Sequence, residues 1–235
     1  MKRIDKGFII IVVVLLGTRL VNGSMSDPKE YFFNILIMLP GIIIGFTFHE
    51  FAHAFVSDRL GDPTPKQQGR LSINPMAHID WIGFASLVLC GFGWGKPVEI
   101  NPMYYKNRRL GELLTSLAGV VMNLLIAFIL CFVLKALVYS DFANTNAGDV
   151  IIQMTAYAVT INLVLMIFNL IPVPPLDGFG ILTQIFDLSK YRWYPYLYDN
   201  GFFILLLLIV FNITDMVITP GVTGIWNFMM EHIVY

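Results

Sequence analysis

Two imidazoles and a carboxylate stand in the run His49-Glu50-Phe51-Ala52-His53, at the far end of the apolar stretch Gly41-Ile42-Ile43-Ile44-Gly45-Phe46-Thr47-Phe48. On a helix turning about 100° per residue, positions 49 and 53 share a face one turn apart, so both rings can reach one Zn2+. Glu50 then falls beside the metal, where its carboxylate can take a proton from a water whose pKa the ion lowers to about 7. Ionisable groups cost several kcal/mol in hydrocarbon, on the order of what a functional role must repay, so their presence here points to function. A plainer alternative has the three as helix-terminal polar groups facing water, with Glu50 paired to Arg59 and the histidines bonded to carbonyls.

A catalytic zinc site takes a third protein ligand and leaves one position open. The best candidate in the chain is Asp177, in Pro172-Val173-Pro174-Pro175-Leu176-Asp177-Gly178. The prolines cannot continue a helix, so an unwound chain there can turn a carboxylate inward, and Gly178 frees the backbone beside it. Taken alone, the same run is an ordinary turn sequence.

The elements that must position these groups are apolar. Hydrophobic residues make up 57% of the 235-residue chain and charged residues 13%, against about 25% charged in soluble domains, which makes this an integral membrane protein. A formal net charge of −1 gives no basic surplus for nucleic acid. Cys90 and Cys131 lie in apolar surroundings and read as packing residues, neither a disulfide nor a ligand pair.

The pattern predicts an all-α multi-pass membrane protein of about five to six membrane helices. The first is a short helix over residues 7–21, followed by one over 31–56 bent near Pro40-Gly41, others over 113–138 and 150–171, and a further one over 202–217. Between the second and third, residues 77–101 are interrupted by Gly91, Gly93, Gly95 and Pro97, which suits a small re-entrant or β-hairpin element whose edge can pair with an extended peptide. Lysine and arginine concentrate before the first helix, after the second, over residues 96–109 and around Lys190 and Arg192. By the positive-inside rule that side is cytoplasmic, and His53 and Asp177 lie towards it.

Together, His49, Glu50 and His53 and the segment Asn169-Leu170-Ile171-Pro172-Val173-Pro174-Pro175-Leu176-Asp177-Gly178 resemble the two metal-site motifs of the site-2 protease family of intramembrane zinc metalloproteases. The likeness continues in Gly69-Arg70-Leu71-Ser72-Ile73-Asn74-Pro75-Met76-Ala77-His78-Ile79-Asp80 and in Gly93-Trp94-Gly95-Lys96-Pro97-Val98-Glu99-Ile100-Asn101-Pro102, covering about residues 41–180. It departs from the compact branch in Ala118-Gly119-Val120-Val121-Met122-Asn123, where Val120 replaces a proline, and at Trp81, where proline is common. No room is evident for a PDZ-like insertion or a nucleotide-sensing domain.

The resemblance implies that His49, His53 and Asp177 bind one Zn2+ and that Glu50 is the catalytic base. It implies a single membrane-embedded metalloprotease domain over residues 1–235, with a metal-site core of about 31–180, in the lipid bilayer of a prokaryotic cell. The expected substrate is a transmembrane or membrane-anchored protein that unwinds locally, since a helix hides its carbonyls. Asn123 is either an oxyanion or substrate contact or a bridge between helices, and Asn169 braces the proline segment or contacts substrate. His78 and His232 are expected to be structural or interfacial. Two other functions remain open: a noncatalytic scaffold or chaperone of the same fold, and a metal transporter using the same three ligands.

Overall fold

The helices begin where short polar side chains can cap them. A computed structural model describes residues 27–90 and 93–235. Helix α1, Pro28–Arg59, starts at Asp27, whose carboxylate accepts from the amides of Lys29 and Glu30, with Pro28 at the first position where no amide hydrogen is needed. It is followed by α2 (Thr64–Gln67), α3 (Trp81–Cys90) and α4 (Arg108–Val138), the last capped by Asn107. Helix α5, Asn146–Asn169, is capped by Thr145, and α6 (Asp177–Phe186), α7 (Tyr194–Asp199), α8 (Gly201–Val210) and α9 (Asp215–Met229) complete the order. Three of these, in α1, α4 and α5, are long and apolar enough to cross a membrane, and α8 with the segment from Asp215 to Val234 forms a fourth apolar unit bent by 75°. The chain is an all-α, multi-pass membrane bundle.

Several sequence expectations shift by a few residues. The helices predicted over 31–56, 113–138 and 150–171 run Pro28–Arg59, Arg108–Val138 and Asn146–Asn169, because caps outside the apolar runs extend or stop them. The helix predicted over 202–217 breaks after Val210, where Asn212 takes a left-handed conformation at φ 55°. Residues 77–101 hold α3 and one isolated antiparallel bridge, Ile79 with Gly95, and among the described residues no named strand forms. Pro40 lies inside a continuous α1. The span predicted over residues 7–21 lies outside the described residues.

The long helices α1, α4 and α5 pack against one another as a three-helix centre. Residues of α4 and α5 such as Ala127, Cys131, Val159 and Leu163 are fully buried between them, and Met229 and Val234 close that core from the C-terminal side. Helix α1 can approach α5 closely because Gly41 presents only backbone, and a Cβ built there would fall 2.6 Å from the Ala158 Cα. Small residues at such crossings are what let helices pack tightly in lipid, where no hydrophobic drive pushes them together.

This crossing is directly testable. Gly41→Leu should destabilise the bundle by about 1–3 kcal/mol through overpacking, lowering the midpoint of thermal unfolding in detergent. Gly224→Ala, inside α9, should hold or slightly raise the midpoint, since a Cβ there meets nothing within 4 Å and alanine favours the helix. Equal midpoints for the two variants would show that the α1–α5 approach is not close.

Candidate metal centre

One face of α1 carries His49 and His53, and the first turn of α6 carries Asp177, so two motifs separated by more than a hundred residues meet at the bundle centre. The Nε2 atoms of His49 and His53 lie 3.0 Å apart, and Asp177 Oδ2 is 3.3 Å from each. Both rings are buried and the carboxylate nearly so. Helix α6 is held at its other end by α4, where Arg109 Nη2 donates to the Ile185 carbonyl at 2.7 Å and Gln184 donates to Glu112.

The outer nitrogens of the two rings decide what the inner ones are. His53 Nδ1 lies 2.7 Å from the Thr115 carbonyl, which only accepts, so this nitrogen carries the proton. His49 Nδ1 lies 2.7 Å from Asn123 Oδ1. The orientation of that amide is fixed by its other end, because Asn123 Nδ2 donates to the Gly45 carbonyl at 3.1 Å and to Asn162 Oδ1 at 3.0 Å. His49 Nδ1 is therefore a donor too. In the neutral rings both Nε2 atoms present lone pairs to each other and to Asp177 Oδ2, which is buried and finds no hydrogen-bond donor.

Three lone pairs converging on one buried point repel unless a cation lies between them. For bonds of about 2.0–2.1 Å at tetrahedral angles, neighbouring donors sit roughly 3.3 Å apart, close to the spacing found here. Two imidazoles and a carboxylate also suit zinc chemically, with a fourth position left open. His49, His53 and Asp177 thus form a candidate site for one Zn2+, the one cluster of its kind among the described residues.

Residues around the triad give it shape. Gly119 of α4 faces both rings, and a Cβ there would lie 2.5 Å from His49 Cε1 and from His53 Nε2. The Thr115 carbonyl belongs to a chain of buried groups, in which Thr115 Oγ1 meets the Tyr105 hydroxyl, Tyr105 meets Ser57, and Ser57 donates to Asp62. Asp62 is fully buried and also accepts from the amides of Thr64 and Asn101. Burial pushes its carboxyl up, but the Asn101, Thr64 and Ser57 hydrogen bonds outweigh that and hold it below the usual carboxylate range.

Glu50 follows His49 on α1 and turns towards residues 94–100, where its Oε2 accepts the Val98 amide at 2.9 Å. It does not pair with Arg59, whose guanidinium lies over the Phe55 ring at 4.9 Å. The edge expected to take a peptide strand is engaged with its own chain at Lys96, whose amide donates to the His78 carbonyl, and at Val98.

Both protons of the Asn123 side-chain amide are in use, so in this arrangement the residue orients His49. Asn169 donates to the Leu165 carbonyl at 2.9 Å within its own helix. His78 is buried, with Nε2 at 2.7 Å from the Ser72 carbonyl, and His232 is exposed and stacked on Phe228. Sequence reasoning assigned no role to Asn162, Gly119, Thr115 or Arg70. An amide within an apolar helix was the available signal for Asn162, and a glycine four residues before Asn123, on its helical face, for Gly119.

The model of peptidase family M50 matches residues 136–208, a stretch that includes Asp177. The chain is 37% identical over 180 residues to YwhC of Bacillus subtilis, provisionally named a zinc metalloprotease, which covers 76% of this chain and 82% of that protein. It is 26% identical over 213 residues to Rip2 of Mycolicibacterium smegmatis, provisionally named likewise, covering 86% and 78%. Similarity to the zinc metalloprotease MJ0392 of Methanocaldococcus jannaschii is 28% over 186 residues, covering 79% of this chain and 42% of that protein. No solved structure gives a significant match.

If the triad is a metal centre, the residues behind it set its affinity. Asn123→Ala should weaken zinc binding by about 10–100-fold, the usual cost of losing the group that orients a ligating histidine, and Gly119→Ala should do so by displacing both rings. Competition with a chromophoric chelator reads both. Wild-type affinity in both variants would remove the orienting role.

Proposed function

The chain belongs to peptidase family M50, the site-2-protease-like zinc metalloproteases, and from that premise we propose that His49, His53 and Asp177 hold its single Zn2+ while Glu50 is the base that hydrolyses a peptide bond in a membrane-anchored substrate. The observation that carries this reading is the meeting of three buried metal-ligating atoms, within electrostatic reach of the one further carboxylate, Glu50. Zn2+ bound there supplies a Lewis acid that polarises the scissile carbonyl and acidifies water.

The remaining steps fall to the chain itself. Glu50 takes a proton from water as the hydroxyl oxygen bonds to the carbonyl carbon, then delivers that proton to the leaving nitrogen as the C–N bond breaks. Asn123 and the Thr115 carbonyl hold the two imidazoles in the tautomer that turns Nε2 inward. The buried setting excludes bulk water from most of the triad, which strengthens every charge interaction within it.

The finer architecture belongs to the same proposal. Residues 1–235 form one domain, with the metal-site core over about 31–180. Counting the sequence-predicted span over residues 7–21, the three long helices and the bent α8–α9 unit gives five membrane segments. At ten residues α3 is about 15 Å long, half the thickness of the hydrocarbon core, which favours a re-entrant placement. The lysine and arginine distribution favours a site that opens towards the cytoplasm. The substrate is a transmembrane or membrane-anchored segment, unwound where it is cut.

Glu50→Gln separates this function from metal storage or transport. It should reduce cleavage of membrane-anchored reporter segments by about 10²–10⁴-fold, the range expected for loss of a general base, with zinc content per chain unchanged. Cleavage at the wild-type rate by a zinc-loaded Glu50→Gln protein would overturn the assignment of the base.

A further inference from the structure

Arg70 is 3% exposed, an unusual position for a guanidinium. Its Nη1 donates to the Ala77 carbonyl and its Nη2 to the carbonyls of Lys96 and Pro97, and the carboxylates of Glu50 and Glu99 supply opposing charge. The fork thus ties the loop after α2 to the segment that follows α3. The next amide along that segment is Val98, which donates to Glu50 Oε2 at 2.9 Å. A planar guanidinium holding two successive carbonyls fixes the peptide planes on either side of Pro97, and so fixes where the Val98 hydrogen points.

We propose that Arg70 is a positioning residue for the hydrolysis, clamping Lys96 and Pro97 so that the Val98 amide aims the Glu50 carboxylate. This rests on the reading of Glu50 as the base. A glutamate on a helix has three rotatable side-chain bonds, and misplacing a base by about 1 Å can cost on the order of 100-fold in rate. Pro97 suits the arrangement, since it has no amide hydrogen to compete for the carboxylate and its ring fixes φ just before Val98. Lysine in place of Arg70 would keep the charge but lose the fork, so charge and geometry can be separated.

The test uses full-length protein in detergent and a membrane-anchored reporter, with hydrogen exchange at the Val98 amide read alongside cleavage. Arg70→Lys should speed Val98 exchange by about tenfold or more and lower kcat by about 10–100-fold, with KM within about twofold and zinc content unchanged. Replacing the Val98 amide by an ester should lower kcat by a similar factor, and adding Arg70→Lys to it should lower kcat little further, because both act through one hydrogen bond. Should Arg70→Lys fail to fold, the ester variant and Glu50→Ala carry the test, the latter through faster Val98 exchange.

Unchanged Val98 exchange in Glu50→Ala, or unchanged kcat in the ester variant, would overturn the clamp. So would a rise in KM at constant kcat, which would instead assign the segment to holding substrate. If Val98 exchange responds as expected while even wild-type protein cleaves no reporter, the Arg70–Val98–Glu50 contact stands but the hydrolase reading fails, and the positioning role falls with it.

Discussion

Two ring nitrogens and one carboxylate oxygen, all buried, face one another across about 3 Å, and in the neutral rings all three turn lone pairs towards one point. Without a proton or a metal ion between them this arrangement is repulsive, and the rest of the molecule holds the three atoms together. Helix α1 supplies two of the atoms one turn apart, α6 supplies the third, and α4 lies behind both with a glycine where any side chain would collide with the rings. The repulsion is relieved when a cation enters, so the energy spent holding the donors together becomes affinity for the metal.

Keeping those lone pairs inward requires polar groups in a part of the bundle that is otherwise apolar. Asn123 and Asn162 are both fully buried, and each amide donates to a helix carbonyl that has a spare lone pair, Gly45 for one and Ala158 for the other. The result is a satisfied network and not a set of isolated polar atoms, which in lipid would cost several kcal/mol each, on the order given by transfer energies. A second network runs from Thr115 through Tyr105 and Ser57 to Asp62, tying the end of α1 to both loops on that side. One network serves His49 and the other His53.

Much of this was legible in the sequence because the metal chemistry is local on at least one side. His49 and His53 share a helical turn, and the proline run before Asp177 announces a break from which a carboxylate can turn inward. The long helices were legible from their apolar runs, and their ends moved only as far as Asn107, Asp27 and Thr145 dictated as caps. The break after Val210 was not, since Asn212, Thr214 and Asp215 also suit the polar end of an unbroken span and the left-handed turn at Asn212 is a tertiary outcome. Nor were the roles of Arg70, Thr115 and Val98, because two of these act through backbone atoms and the third through carbonyls distant in sequence. Periodicity and motif spacing carry no information about which peptide group faces which side chain.

The most direct measurement is X-ray absorption at the zinc K-edge on purified protein, together with the metal stoichiometry. The account predicts one zinc per chain in a shell of nitrogen and oxygen at about 2.0–2.1 Å, with multiple scattering from two imidazoles and no sulfur contribution. A well-folded chain that takes up no zinc, or a shell containing sulfur or only one imidazole, would contradict it.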